Sequence, residues 1–205
     1  MSITTEIWAR FAGETGLAFK EASEIGRRIR EQSLFSKHTR AKESQIITDN
    51  DLANLIIAGM SGLPPQQSHL AVRRLADASV CNGDYKHIEQ GRAAFEEFGA
   101  PLTAFLDREH TFTEAVAALF GMARKCPSVF EETFRHSWVS IDQRRFSGEI
   151  YLSAEIFTPL PKPVVDTLIE YVPSEEFFRG DLQIHARLTA STIAALARAA
   201  DRVTP

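Results

Sequence analysis

The spacing of apolar residues changes once along this chain, near residues 125–127, and this change limits the folds open to it. Before it, apolar residues recur every three or four positions, which predicts amphipathic helices. After it, two segments alternate between apolar and polar residues, which predicts half-buried strands. The chain is therefore predicted to be an α+β protein, mostly α, with a helical N-terminal part and a small antiparallel sheet with helices at its C-terminal end.

The same periodicity gives the individual elements. Helices are predicted over residues 3–12, 17–32, 48–60, 65–79, 86–98, 111–125, 163–171 and 189–202, and strands over 136–142, 148–157 and 181–189. Residues 81–85 are predicted to be a turn, and residues 143–148 a hairpin connection. Thr111, followed three residues later by Glu114, has the pattern of a capping box. These elements suggest three parts: a helix-turn-helix segment with a basic arm (1–45), a helical body (46–126) and an α+β part that either covers the helical body or pairs with a second copy (127–205).

Composition indicates a protein that is neither membrane-spanning nor secreted. No apolar run approaches the roughly 20 residues that cross a bilayer. The N-terminal residues lack a positive segment followed by an apolar one, as a signal peptide would have. We therefore expect a cytoplasmic protein. Cys81 and Cys126 lack the paired spacing of a zinc site, so two buried free thiols are predicted, with a single disulfide as the alternative.

The basic residues are unevenly distributed. The chain has a net charge of −4, but residues 20–42 contain seven basic and three acidic residues, a local balance of +4. A basic patch on an otherwise acidic protein indicates one anion-binding surface. The candidate DNA-binding residues are Lys20, Ser23, Arg27, Arg28 and Arg30 on the second helix, and Lys37, His38, Arg40 and Lys42 in the arm that follows.

Two interpretations of the second helix stay open from the sequence. Arginines opposite Ile25 and Ile29 could contact phosphates or guanine edges. Alternatively, the helix is a solvated surface whose Glu24–Arg28 and Arg27–Glu31 pairs form ordinary ion pairs four residues apart. The basic arm likewise either follows a nucleic-acid backbone or is a hydrated linker.

Residues 11–36, "FAGETGLAFKEASEIGRRIREQSLFS", resemble the DNA-binding segment of bacterial helix-turn-helix and winged-helix regulators. Thr15, Gly16 and Leu17 match the turn, and residues 28–31 match the end of the second helix. Ser33 departs from the pattern, which usually has Gly there. No clear wing hairpin follows. Residues 47–60, "ITDNDLANLIIAGM", are more loosely similar to prophage-associated proteins of alphaproteobacteria, which implies phage or mobile-element biology.

Signals for catalysis are weak. His110 and Glu114 are four residues apart and could share a metal, but no second histidine stands at ligand spacing. Turn and cap roles explain this segment more simply. His136 and His185 fall on predicted strands and are more simply explained as ordinary histidines. We therefore predict a non-enzymatic protein without metal or cofactor.

Together these observations predict a sequence-specific transcriptional regulator that binds double-stranded DNA as a homodimer. The alternative is a protein-interaction factor, such as a phage-type inhibitor or adaptor of a host protein.

Overall fold

A computed structural model describes residues 3–36, 47–83, 109–156, 162–173 and 185–201. Within these residues there are seven helices and five strands. The helices are α1 (Ile3–Thr15), α2 (Phe19–Glu31), α3 (Asp49–Met60), α4 (Ser68–Ala76), α5 (Phe112–Lys125), α6 (Pro127–Thr133) and α7 (Ala190–Asp201). The strands are β1 (Ser79–Gly83), β2 (Trp138–Asp142), β3 (Ser147–Ile156), β4 (Lys162–Val172) and β5 (His185–Thr189). The coarse prediction of an α+β protein is confirmed.

The five strands form one sheet in the order β1-β4-β3-β2-β5, and every neighbouring pair is antiparallel. The predicted β2–β3 hairpin is present, with Trp138 opposite Tyr151 and Asp142 opposite Ser147. Since β1 precedes three of the helices in the chain but pairs with β4, the sheet joins the two halves of the sequence.

A continuous apolar core connects the helices with one face of the sheet. Its side chains include Phe11 from α1, Phe120 from α5, Ile150 from β3 and Leu196 from α7, all of which are buried. Helix α1 packs on both α2 and α7, so the first and last helices are neighbours. The core crosses both boundaries of the predicted three-part division, and that division stays a prediction.

The predicted helix over residues 163–171 is wrong, because these residues form strand β4. Proline at 161 and 163 suggested a helix start, but burial follows a period of two. Thr167, Ile169 and Tyr171 are buried, whereas Leu168 and Val172 are exposed. Pairing with β3 along nearly its whole length supplies the backbone hydrogen bonds that a helix would otherwise make for itself.

Residues 79–83 also differ from their prediction. The helix ends at Ala76 rather than at residue 79, and the expected turn is strand β1, which pairs with β4 through a bulge between Val80 and Asn82. Helix α6 was not predicted. The predicted helix at 86–98 and residues 181–184 of the predicted last strand lie outside the described residues.

The two cysteines are free, as predicted, but both are exposed, so the prediction of buried thiols is wrong. Cys81 lies on β1, which is at the edge of the sheet, and Cys126 lies at the junction of α5 and α6. Neither position is covered by the core. Partial desolvation of the thiol itself and the nearby Glu170 carboxylate nevertheless raise the pKa of Cys81.

Candidate nucleic-acid interface

The turn between α1 and α2 consists of three residues, Gly16 to Ala18. Gly16 has a φ of 73°, a left-handed conformation that glycine adopts without the steric cost of a side chain. Just before it, the Thr15 hydroxyl donates a 2.6 Å hydrogen bond to the Phe11 carbonyl oxygen. Helix α1 therefore includes Gly13 and continues three residues beyond its predicted end. The turn begins at Gly16.

The inner face of α2 packs tightly on α1. Ala22, Ile25 and Ile29 are buried, as the sequence predicted. Gly26 lies directly against the Trp8 ring, and any Cβ atom at this position would clash with it. Helix α2 also contacts α3 and α4, so its orientation is fixed from several sides.

Two arginines on the outer side of α2 are already paired with carboxylates. Arg27 donates from Nη2 and Nε to the two Glu24 oxygens at 2.6 and 2.9 Å, and from Nη1 to Glu31 Oε1 at 2.8 Å. Arg28 donates to the same two glutamates at 3.2 and 3.1 Å. The four side chains form a network with no net charge, which we call the α2 network.

The α2 network also changes the acidity of its members. The hydrogen bond from Arg27 lowers the pKa of Glu24, with smaller contributions from the charges of Arg27 and Arg28. The reciprocal hydrogen bond raises the pKa of Arg27. Both predicted pairs, Glu24–Arg28 and Arg27–Glu31, are therefore present, and they share their partners in one network.

The sequence predicted that Arg30 and Arg27 lie together on the outer side of α2, but Arg30 does not. Its guanidinium lies over the Trp8 ring, 5.6 Å from the centroid, and its Nε donates to the Gly26 carbonyl oxygen at 3.3 Å. Partial burial of this group lowers the pKa of Arg30. Arg30 thus packs toward α1, because Trp8 offers a flat aromatic surface beside the last turn of α2.

The first turns of α2 remain accessible. Lys20 is exposed, Ser23 is half-buried, and the Phe19 side chain is 47% exposed. Among the described residues, the Lys20 side chain has no ion-pair partner. At the N-terminal end of α2, Lys20 is therefore an accessible cation that lies outside the α2 network.

Helix α2 ends in a Schellman motif. Leu34 N donates to Ile29 O, and Ser33 N donates to Arg30 O, both at 3.0 Å. Ser33 has a φ of 58° in this motif. The departure from glycine noted in the sequence thus leaves the C-cap geometry unchanged but places a serine in the left-handed conformation.

Beyond α2, the chain is pinned on both sides of residues 37–46. The Ser36 amide and hydroxyl donate to Asp51 Oδ1 at 2.7 and 3.1 Å, and the Thr48 amide donates to Asp51 Oδ2 at 2.9 Å. Ser36 Oγ and Thr48 Oγ1 are 3.3 Å apart. The four arm candidates, Lys37, His38, Arg40 and Lys42, lie outside the described residues. The structure therefore brings together the flanks of the arm but does not describe its basic side chains.

The groups considered for catalysis have structural partners. His110 Nε2 lies 2.7 Å from the Tyr171 hydroxyl in a buried contact. Glu114 instead completes the predicted capping box of α5 with Thr111. Among the described residues, no group of three or more His, Cys, Asp or Glu side chains is arranged to hold a metal.

No protein-family model, curated protein or solved structure matches this chain. Within the described parts of the chain, no helix combines the length and the apolar content needed to cross a membrane. The resemblance to helix-turn-helix regulators therefore depends on α1, the turn and α2 alone.

Proposed function

We propose that this chain is a sequence-specific DNA-binding transcriptional regulator that presents α2 to the major groove. The observation that carries the proposal is the three-residue turn between α1 and α2, with Gly16 in the left-handed conformation. A helix-turn-helix unit has two helices joined by a turn of three to four residues that often contains glycine. Its second helix is supported from behind by the rest of the domain, as the buried inner face of α2 is here.

The contacts to bases are assigned to the N-terminal end of α2. Recognition helices contact base edges with their N-terminal residues. Lys20 and Ser23 lie in this part of the helix and are accessible, and both are suited to hydrogen bonding with bases or phosphates. Arg27 and Arg28 contribute only where a phosphate displaces Glu24 or Glu31, and Arg30 contributes mainly by packing on Trp8.

The basic arm is assigned to the phosphate backbone on the ground of its charge. Lys37, Arg40 and Lys42 follow α2 directly in the sequence. Because Ser36 and Thr48 are held at the same Asp51 carboxylate, the arm starts and ends at one point of the surface, close to the end of α2. Cationic arms of small DNA-binding domains contact the backbone or the minor groove in addition to the recognition helix.

The proposed regulator acts in the cytoplasm as a homodimer, because two half-sites multiply the affinity of a single helix-turn-helix unit. The resemblance of residues 47–60 to prophage-associated proteins supports a phage or mobile-element origin. Sedimentation of the full chain at micromolar concentration tests the dimer directly, and a monomer at all concentrations would contradict it.

A protein-interaction factor is the second candidate, and the outer face of the sheet favours it. The Leu168 and Val172 side chains are 40% and 37% exposed on β4. On the same face, the Trp138 and Tyr151 rings stack with centroids 5.6 Å apart. Exposed apolar side chains beside half-buried aromatic rings are typical of protein-binding surfaces. A host protein is the expected partner in this case.

Selection of genomic fragments by the full chain, followed by titration of the selected duplex and a scrambled duplex, tests DNA binding. We expect the Lys20→Ala variant to lose about 1–3 kcal/mol of binding free energy if Lys20 contacts a base, with a smaller preference for the selected sequence. Lys125→Ala, which removes an exposed lysine at the end of α5, is the matched control. If the parent has no affinity for any duplex at about 50 mM salt, where phosphate contacts are strongest, the DNA-binding proposal fails.

A further inference from the structure

A second cationic surface lies away from residues 20–42, at the tip of the β2–β3 hairpin. Arg144 and Arg145 occupy this tip, and both are exposed. The tip has a fixed conformation, since Asp142 Oδ1 accepts hydrogen bonds from the Arg144 and Arg145 amides at 2.9 and 3.1 Å. Phe146 closes the turn by donating its amide to the Asp142 carbonyl oxygen at 2.9 Å. The two arginine side chains therefore project from a rigid support.

The hairpin tip is fastened to the helical layer at two points. The Gln143 side chain donates to the Met60 carbonyl oxygen at 2.8 Å, at the end of α3. On the other side of the tip, the Arg74 guanidinium of α4 lies over the Phe146 ring, 5.0 Å from its centroid. The hairpin tip thus lies beside α4 and contacts it directly.

Helix α4 extends this surface toward α2. Arg73, which is exposed, donates from Nη2 to the Gln32 side-chain oxygen at 2.9 Å, and Gln32 is the C-cap residue of α2. Contacts therefore run without a break from the end of α2, across α4, to the hairpin. We call this region the arginine surface, and it consists of Arg73, Arg74, Arg144 and Arg145.

The arginine surface keeps most of its charge. In the parts of the chain that the structure describes, Arg73, Arg144 and Arg145 have no ion-pair partner. Helix α4 contains two arginines and no acidic residue, with Asp77 directly after its end. The nearest carboxylate of the hairpin, Asp142, is buried and bonds to backbone amides.

We propose that the arginine surface binds consecutive phosphates of the duplex backbone beside the place where α2 enters the groove, an inference that depends on the proposed function. Guanidinium groups form bidentate hydrogen bonds with phosphate oxygens, and because they are more weakly hydrated than ammonium groups they lose less hydration on binding. A rigid hairpin also loses little conformational entropy when its side chains meet a ligand. The direct contact between Arg73 and Gln32 makes the surface continuous with α2.

The test is the salt dependence of duplex binding by the Arg144→Gln/Arg145→Gln variant of the full chain. Each lost phosphate contact makes the slope of log affinity against log salt less steep by about 0.9. Two lost contacts would therefore make the ratio of parent to variant affinity about 12-fold larger at 50 mM than at 200 mM salt. The side chains are exposed and the Asp142 bonds involve only backbone amides, so thermal melting should stay close to that of the parent.

Two controls define the interpretation. Arg135→Gln/Arg198→Gln removes the same charge from just after α6 and from α7, where Arg198 pairs with Glu131, and should keep the parent slope. Arg144→Lys/Arg145→Lys keeps the charge and should keep most of the parent slope. If the parent binds duplex and the Arg144/Arg145 double glutamine variant has the same slope, the arginine surface is not a phosphate site, while the proposed function stands. If the parent binds no duplex, both proposals fail together.

Discussion

Two arginine-bearing surfaces of this molecule differ in how much of their charge a ligand can use. In the α2 network, Arg27 and Arg28 share Glu24 and Glu31, so four charges compensate one another within two helical turns. In the arginine surface, Arg144 and Arg145 extend from a hairpin whose Asp142 carboxylate is bonded to the hairpin's own backbone, and neither has an ion-pair partner among the described residues. The comparison shows that basic residues close together in the sequence need not produce the more cationic surface.

The largest expected effect comes from removing a core side chain of α1. Phe11 is fully buried in α1 and packs on Gly59 of α3. Phe11→Ala should lower the free energy of unfolding by about 3–5 kcal/mol, because it deletes a buried ring and leaves a cavity. Chemical denaturation measures this. Phe19→Ala, at an exposed aromatic of α2, is the matched control and should cost less than about 1 kcal/mol. Equal effects would show that Phe11 does not fill the core as described.

A smaller loss is expected when the hairpin tip is loosened. Asp142→Ala leaves the Arg144 and Arg145 amides without their acceptor, which should cost about 1–3 kcal/mol of stability. It should also weaken duplex binding, because the two arginines would lose their fixed support. Asp142→Asn keeps a side-chain oxygen that can accept both bonds and should behave like the parent. Denaturation and duplex titration of all three proteins check this. Unchanged binding by Asp142→Ala would show that duplex binding does not need the fixed conformation of the hairpin tip.

The α2 network can be converted to resemble the arginine surface. Glu24→Gln/Glu31→Gln removes both carboxylates and leaves Arg27 and Arg28 uncompensated. If α2 meets DNA, the salt slope should become steeper by up to about 1.8, which changes the relative affinity about 12-fold between 50 and 200 mM. Glu149→Gln/Glu170→Gln, on the sheet, removes the same charge and should change the slope far less. A slope equal to the parent in the Glu24/Glu31 variant would place the α2 network outside the DNA interface.

A modest gain in stability is expected at the C-terminal end of α2. Ser33 holds a left-handed conformation that costs a non-glycine residue about 1–2 kcal/mol. Ser33→Gly should relieve this strain and raise the free energy of unfolding by about 1 kcal/mol. The greater entropy that glycine gives the unfolded chain reduces this gain. Ser33→Ala keeps the strain and serves as the control. Thermal melting distinguishes them, and a Ser33→Gly variant less stable than the parent would contradict the Schellman geometry.

The smallest expected effect is a shift in the titration of Glu24. Its pKa is lowered by the hydrogen bond from Arg27, so the folded state favours the ionised carboxylate. The contribution of this group to stability is therefore present above its unfolded-state pKa and is lost as the pH falls through the lowered folded-state value. Carboxyl-detected NMR should find the Glu24 pKa below its ordinary value in the parent and higher in Arg27→Gln, where only Arg28 still lowers it. Equal values in the two proteins would show that the network does not form in solution.

Local interactions were the part of this structure that the sequence predicted well. The capping box of Thr111 and Glu114, the buried face of α2 and the Glu24–Arg28 and Arg27–Glu31 ion pairs all involve residues three or four apart, where helix geometry determines the neighbours. The orientation of Arg30 was missed because it depends on Trp8, which belongs to another helix. Strand β4 was missed because its pairing with β3 outweighs the helix signal of its flanking prolines.

The arginine surface could not be predicted for the same reason. Gln32 and Arg73 are 41 residues apart in the chain, and Arg145 is farther still from Arg73. These residues come together only after α4 and the hairpin have packed. No periodic pattern in one segment contains this information. The hairpin itself was predicted from alternation and a polar connection, but its attachment to Met60 was not.

The carboxylate of Asp51 has a consequence for how this protein can change during evolution. Because it bonds to both Ser36 and Thr48, it fixes the two ends of the segment between them. Doubling the number of residues between Ser36 and Thr48 would raise the entropic cost of closing the loop by only about 0.6 kcal/mol. The length of the segment between these two residues can therefore change at little cost among descendants of this chain, while the scaffold on either side stays under strict packing constraints.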